Sequence, residues 1–373
     1  MDLLTGVMSW FKKRGVWVGC IAVLLVCGVC VQLGILLDVP GRAEAHMRLS
    51  KWNKTLANFL IGNPMPRGIG ISGKIVVVAE DGHWQALKPV LENVLMQPML
   101  TPQPEYLFEL VHVLPKDFDQ YRVYRNVIVV GGSHPSLGNI VDELSALGDV
   151  VIRKDVWATQ QVVIGIRAGD VLSSAEKVGV NGDRIVAAVD GGMADWLTTI
   201  LYHAGVDEVV TKGLADQYGW QIQVPIGFEV MRDYADQHFV TFVRQVDRRQ
   251  LWMWVYWEDG VTPDQLTADW CLDKRNAISA KFYGGDQTDL NDLKIYQTDF
   301  NGNLAVCLEG LWENAKSWQG GPFKSYSVID ADRGRLYMIN MGIYAPNRTK
   351  ALQMRQLDAL AHTFEISSTF VMK

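Results

Sequence analysis

Leu251-Trp-Met-Trp-Val-Tyr-Trp257 is apolar or aromatic at every position. In an extended strand successive side chains alternate, so Trp252, Trp254 and Tyr256 share one face and Met253, Val255 and Trp257 the other. An aromatic stripe can stack against sugars. A strand covered on both sides gives the same letters, because aromatic residues suit a pleated surface and bury large areas. The heptapeptide therefore reads as a core strand of a sheet with both faces packed. Ile222 to Met231 and His238 to Gln245 precede it as further strand-like runs separated by short polar breaks, the pattern of a meander. Downstream, Asn301-Gly302 lies between Lys294 to Asp299 and Leu304 to Leu311. Asp330-Ala-Asp-Arg-Gly334 lies between Phe323 to Ile329 and Arg335 to Tyr344. Asn-Gly favours the left-handed backbone of a tight hairpin, so both segments are predicted hairpins. Thr349 to Phe364 repeats Met354, Leu357, Ala361 and Phe364 at helical spacing, which predicts a closing helix laid on the sheet. Residues 216–373 are thus expected to form a mainly antiparallel α+β half.

Upstream the grammar changes. Lys74-Ile-Val-Val-Val-Ala79 is a continuous apolar run of the kind a doubly covered strand needs. A helix is predicted from Trp84 to Met96, with Pro89 tolerable only in its first turns. Leu107 to Leu114, Val127 to Val130 and Val162 to Arg167 read as strands, and Asn139 to Leu147 and Asp183 to His203 as helices, the last weakened by Gly191 and Gly192. Strands alternating with helices predict a sheet covered by helices, so residues 73–215 are expected to be an α/β half. The chain as a whole is predicted to be α+β.

Gly15 to Leu37 carries no charge and directly follows Lys12, Lys13 and Arg14. As a helix it would be roughly 33 Å long, enough for a hydrocarbon core of about 30 Å. Basic residues stay cytoplasmic, which places the N-terminus inside and the body in the periplasm. Residues 1–45 are read as a cytoplasmic stub with a retained signal-anchor, and cleavage after Ala45 in Ala43-Glu-Ala45 is the alternative. Residues 46–72 read as a linker, with a short helix at Lys51 to Ile61. Gly19, Gly28 and Gly34 are the small residues that could pack against another membrane helix.

The formal net charge of -6 offers no basic surface for nucleic acid. Of five cysteines, Cys20, Cys27 and Cys30 lie in the apolar run, where Cys27-Gly-Val-Cys30 has no second ligand pair. Cys271 and Cys307 could pair or stay as buried thiols, and the second is favoured. Gly131-Gly-Ser-His-Pro135 lacks the glycines and lysine of a phosphate loop and the second glycine of a nucleophile elbow, so it reads as a strand-to-helix turn. In Glu80-Asp-Gly-His-Trp84, Asp81 is read as a helix N-cap with His83 exposed in the first turn. Asp299-Phe-Asn-Gly-Asn303 has only the opening of a calcium loop, with Leu304 and Gly310 where glycine and glutamate are required. No residue is assigned a catalytic, cofactor or metal role.

Thr101-Pro-Gln-Pro-Glu105 with Phe108, Asp155-Val-Trp-Ala-Thr-Gln-Gln161 and Val224-Pro-Ile-Gly-Phe228 occur in that order. They are followed by Gly310-Leu-Trp312, Gly320-Gly-Pro-Phe323, and Tyr344-Ala-Pro346 with Lys350, Arg355 and Leu357. Together they resemble the Bacteroidetes envelope family known as domain of unknown function 4837, over roughly Lys74 to Phe364. The resemblance implies an exported, membrane-attached protein and no particular activity. The chain departs from it in lacking a lipid-attachment cysteine and in having Gln319 where methionine is usual. Gly320-Gly321 allows close backbone approach and Pro322 then fixes a turn. Trp318, Gly320, Gly321, Pro322 and Phe323 are the candidate interaction surface. The expected role is a binding or assembly component of a membrane-associated complex, whose partners are the bilayer and other membrane or envelope proteins. The alternative is an envelope hydrolase acting on glycan or peptide with carboxylates not adjacent in sequence. A cleft holding paired acids with Trp252 or Trp318 on its wall would favour it.

Overall fold

A computed structural model of the chain describes residues 65–70, 73–144 and 148–367, and residues 66–367 fall in one unit. The predicted anchor, its glycines Gly19, Gly28 and Gly34, and the helix expected at Lys51 to Ile61 lie outside the described residues. Among those described, no helix is long and apolar enough to cross a membrane.

The first part runs β1 (Lys74–Val78), α1 (Asp81–Leu95), β2 (Pro98–Met99), β3 (Glu105–Tyr106), β4 (Glu109–Val113), α2 (Phe118–Tyr121) and β5 (Asn126–Val130). It continues through α3 (Pro135–Leu144), β6 (Val150–Lys154), β7 (Val162–Ile166), α4 (Val171–Val180), α5 (Gly182–Leu201) and α6 (Glu208–Tyr218). Strands in the order β4-β1-β5-β7-β6 make a five-stranded sheet, parallel except for the edge strand β6. Alternation does the covering, as a doubly packed sheet requires. Ile75, Val77, Ile128 and Ile164 pack under α1, α4 and α5, while Val76, Val78, Val127 and Val129 meet Phe118, Leu137 and Val141.

The second part runs β8 (Trp220–Gln221), β9 (Glu229–Tyr234), β10 (Phe239–Val246), β11 (Arg249–Asp259), α7 (Ala268–Phe282) and β12 (Gln287–Phe300). It ends with β13 (Asn303–Asn314), β14 (Gln319–Asp330), β15 (Arg335–Tyr344), α8 (Ala351–Ala361) and β16 (Glu365–Ile366). A seven-stranded antiparallel sheet, β12-β13-β14-β15-β11-β10-β9, carries α7 on one face and α8 on the other. β11 is an inner strand, and both stripes of its heptapeptide are packed. Trp252 and Trp254 join Cys271, Ile278 and Phe282 of α7, and Met253, Val255 and Trp257 join Met354, Leu357 and Leu360 of α8.

Several boundaries differ from expectation. Helix α1 starts at Asp81 rather than Trp84, so Pro89 sits mid-helix; Pro89 and Gln85, whose carbonyl loses its helical partner, are both on the exposed side, where that loss costs least. Helix α3 starts at Pro135, a favourable first helical position, rather than at Asn139. The strand expected over Ile222 to Met231 is interrupted, because Pro225 and Gly227, at φ 99°, turn the chain between β8 and β9. Both predicted hairpins form, and Asn301 and Gly302 at φ 53° and 82° give the two-residue turn that Asn-Gly favours.

The two sheets meet through α8. Glu105 Oε2 accepts hydrogen bonds from the backbone N–H groups of Lys350 and Ala351 at 2.7 and 2.8 Å, so a side chain of β3 caps the last helix. Lys350 Nζ is 3.7 Å from the same carboxylate, with side-chain exposures of 4% and 11%. Two segments of the sequence resemblance, Thr101 to Glu105 and Lys350, are joined by this contact.

Candidate functional site

The α7 face of the antiparallel sheet is not fully covered. Beyond the last turn of α7 a cavity of about 250 Å³ opens between Trp252, Trp312, Tyr283 and Tyr344, with Arg232 and Asp286 on its wall. Two glycines make room for the indoles. Trp312 is paired across the strands with Gly321, and Trp252 with Gly342. A Cβ on Gly342 would lie 2.7 Å from the Trp252 ring, and one on Gly321 2.0 Å from the Ile343 carbonyl and 3.1 Å from Trp312 Nε1. Trp312 Nε1 donates to that carbonyl at 3.3 Å, which fixes the ring. Trp252 and Trp312 meet edge to face with centroids 5.1 Å apart.

The polar side is equally ordered. Asn314 Nδ2 donates to Asp286 Oδ1 at 2.6 Å and to the Tyr283 carbonyl, while Asn314 Oδ1 accepts from the N–H groups of Lys316 and Ser317. One buried amide therefore ties the floor of the recess to the β13–β14 turn. Asp286 is buried, and burial raises its pKa against the opposing pull of the Asn314 hydrogen bond and Arg275. Burial also pushes the Tyr283 phenol up to about 12, and its hydroxyl shares a 2.7 Å hydrogen bond with Thr241. Gln250 lines the recess, and no hydrogen bond from its amide is formed among the described residues.

The turn so anchored carries Trp318, which is 93% exposed and has φ 56°. A bulky residue in the left-handed region is a rare and costly conformation. Ser317 and Gln319 on either side of it line the recess, so this turn forms part of the rim, although the Trp318 side chain is not itself in the lining. Of the other residues expected at an interaction surface, Gly320 is half-buried and Gly321 and Pro322 are buried. Phe323 lies beneath the Arg275 guanidinium, 3.9 Å from its ring centroid. The segment thus runs from rim to core, and its glycines shape the recess. Tyr283 and Asp286 follow α7, a helix not read from the sequence, and no motif marked them.

A second cavity, of about 310 Å³, lies between α1, α5, α8 and the edge of the antiparallel sheet. Its charges are paired. Arg355 bridges Asp190 and Asp358, Lys324 Nζ donates to Asp358 at 3.1 Å, the Tyr326 hydroxyl donates to Asp358 at 2.7 Å, and the Tyr296 hydroxyl donates to Glu309 at 3.2 Å. Burial works against the Asp358 carboxylate, yet Lys324, His362, Tyr326 and Arg355 together hold its pKa low. Cys307 beside this network is a buried free thiol pushed up to about 11 by burial, and Cys271 is likewise buried and free. A thiol so placed is a poor nucleophile.

The other segments singled out in the sequence do simpler work. Gly132 lies where a Cβ would be 1.8 Å from the Ala168 carbonyl, the Ser133 hydroxyl donates to the Val130 carbonyl, and His134 contacts Ser136: a close strand-to-helix turn. Glu80, not Asp81, occupies the N-cap of α1, without a side-chain cap, and His83 is half-buried rather than exposed. His112 stacks on Trp84 at 4.9 Å and contacts the Ala79 carbonyl. Asp299 accepts from the Gly302 N–H, as a hairpin turn requires. No cluster of potential metal ligands occurs among the described residues.

No curated protein matches the chain. Solved structures that it resembles include the Saccharomyces cerevisiae Ran-binding protein Mog1p, at 12% identity over 41% of this chain and 94% of that one, with a TM-score of 0.30. LpqN of Mycobacterium tuberculosis, described as involved in cell envelope biogenesis, gives 11% over 40% and 83%, with 0.26. A protein from Bacteroides thetaiotaomicron gives 7% over 42% and 48%, also with 0.26. Similarities this slight carry no functional argument. Two family models match, both described as domains of unknown function. DUF8532 matches residues 68–191 and so takes in the Thr101 to Glu105 and Asp155 to Gln161 segments of the resemblance. DUF4837 matches residues 207–363, the stretch that holds the antiparallel sheet, the aromatic recess and the Trp318 turn. The resemblance read from the sequence is thus supported over residues 207–363, while the segments before it match the other model.

Proposed function

We propose that the protein is a binding component of the cell envelope. Gly15 to Leu37 anchors it in the membrane, residues 66–367 stand outside the cytoplasm, and the aromatic recess is where it engages its partner. The observation that carries this reading is Trp318, a large aromatic side chain left 93% exposed on a left-handed turn. Asn314 ties that turn to a recess of four further aromatic rings. A protein folding for stability alone gains nothing from that placement, whereas exposed aromatic anchors dominate binding surfaces. The anchor and its direction rest on the apolar run behind Lys12, Lys13 and Arg14.

The hydrolase alternative asks for paired acids beside Trp252 or Trp318. The aromatic recess has Trp252 but a single carboxylate, Asp286, on its wall. The polar cavity has several carboxylates but no tryptophan, and Asp190, Asp358 and Glu309 are engaged by Arg355, Lys324 and Tyr296. Binding is therefore the better reading.

Affinity capture from detergent-solubilised membranes, with wild type and Trp318→Gly side by side, tests it. The reading expects a partner that is retained by wild type and lost from the variant. Elution of wild type alone at monomer size across mild detergents contradicts it. Protease added to intact spheroplasts should digest the body; a body protected until lysis would invert the topology.

A further inference from the structure

Resting on the assignment of the aromatic recess as the ligand site, we propose that its ligand is a neutral saccharide: one pyranose ring of a larger glycan seated in the recess and hydrogen-bonded by Asp286, Gln250 and Gln319, with the adjoining part of the glycan stacked against Trp318.

Size is the first constraint. At about 250 Å³ the recess is smaller than the roughly 300–1,000 Å³ of drug-sized sites, so it admits one ring and leaves the remainder of a chain outside. Trp318, on the rim, is placed to meet what protrudes.

Charge is the second. A cation cage of aromatic rings needs a net negative wall, yet Arg232 shares this recess with Asp286, its guanidinium 5.8 Å from the Tyr283 ring centroid. An anion would meet the Asp286 carboxylate. A purely apolar ligand would leave the Gln250 amide and the second oxygen of Asp286, whose first is taken by Asn314, desolvated without partners. What remains is a neutral molecule that is apolar on one face and rich in hydroxyls at its edge.

Hydrogen-bonding chemistry selects among such molecules. Each sugar hydroxyl both donates and accepts, and so does a carboxamide, while a carboxylate accepts from two neighbouring hydroxyls. Gln250 and Gln319 supply the amides. Asp286 is held at one oxygen by Asn314, which fixes its plane before any ligand arrives. The C–H face of a pyranose suits an indole, and Trp318 presents one almost entirely bare. Asn314, whose amide is used within the protein, acts as a positioning residue.

The test uses the full chain in lipid nanodiscs free of sugar-headed detergent. Saturation-transfer NMR and calorimetry would be run with N-acetylglucosamine and its β1,4-linked tetramer, a glucose tetramer, and tetramethylammonium chloride, on wild type, Trp318→Gly and Gln250→Ala. Both substitutions lie at positions that leave the core intact. The expected result is transfer to ring protons of at least one saccharide, roughly thirtyfold weaker binding in Trp318→Gly, the loss typical of a truncated aromatic anchor, and about tenfold weaker binding in Gln250→Ala. Binding of tetramethylammonium with none of the saccharides overturns the ligand class and leaves the recess as a binding site. Saccharide binding unchanged in both variants places the sugar elsewhere and overturns the inference. If no probe binds, the saccharide inference falls. If, in addition, Trp318→Gly captures the same membrane partners as wild type, the reading of the recess falls with it.

Discussion

Replacing Trp318 with glycine should make the protein more stable and less functional at once. The residue sits at φ 56°, where an L side chain with a Cβ costs about 1–2 kcal/mol and glycine costs nothing. Glycine in turn loses more freedom on folding, about 0.5–1 kcal/mol. The indole is 93% exposed, so its removal forfeits almost no buried surface. The balance is a gain of about 0.5–1 kcal/mol. Urea unfolding of the full chain in nanodiscs, followed by far-ultraviolet circular dichroism, reads this as a higher midpoint at unchanged slope. Binding should fall in the same variant. A loss of more than about 1 kcal/mol would mean that the indole packs on the protein after all, and the case for a strained, exposed anchor would fail.

The remaining expectations probe what supports the site. Gly321→Ala drives a Cβ to 2.0 Å from the Ile343 carbonyl, so it should cost about 3 kcal/mol or prevent folding; an unchanged melting temperature would refute the close approach. Glu105→Ala removes the cap of α8 and leaves Lys350, 4% exposed, with the Arg348 carbonyl. It should cost about 3 kcal/mol and Glu105→Gln less, and equal losses would show that the charge is unimportant. Burial raises the Asp286 pKa, so its protonated form favours the fold; that contribution is complete at acid pH and is lost as pH rises through the folded-state value. Asp286→Asn, which mimics the neutral form, should therefore be more stable than wild type at pH 7 and converge with it towards pH 4. A gap of the same size at both values in urea unfolding would contradict this.

The antiparallel half was legible where local chemistry and tertiary packing agree. The alternation of Leu251 to Trp257 and the turn at Asn301-Gly302 specify a doubly covered strand and a hairpin without knowledge of anything else. Helix α7 was not legible, although Cys271, Arg275, Ile278 and Phe282 follow helical spacing on its buried side. Arg275 reads as a polar interruption, and only the three-dimensional structure shows its guanidinium buried over Phe323. Missing α7 also hid Tyr283 and Asp286, which that helix delivers to the recess. Trp312, Trp318, Gly321 and Tyr344 were visible as residues of short motifs, but their convergence depends on the registers of β13, β14 and β15, which a strand pattern alone does not fix. On the α/β side, the apolar runs of β1, β5 and β7 announced themselves. β6, with Val150 and Val151 buried and Arg153 and Lys154 exposed, is too short and too mixed to stand out.

Site-specific photo-crosslinking in living cells bears most directly on the claim that the Trp318 recess is the protein's contact with the envelope. With benzoylphenylalanine at position 318, and at Leu172 as an equally accessible control on the α/β side, 80% exposed, the account predicts an adduct with an extracytoplasmic component from 318 and none from 172. The same adducts from both positions, or adducts from 318 only with cytoplasmic proteins, would contradict it.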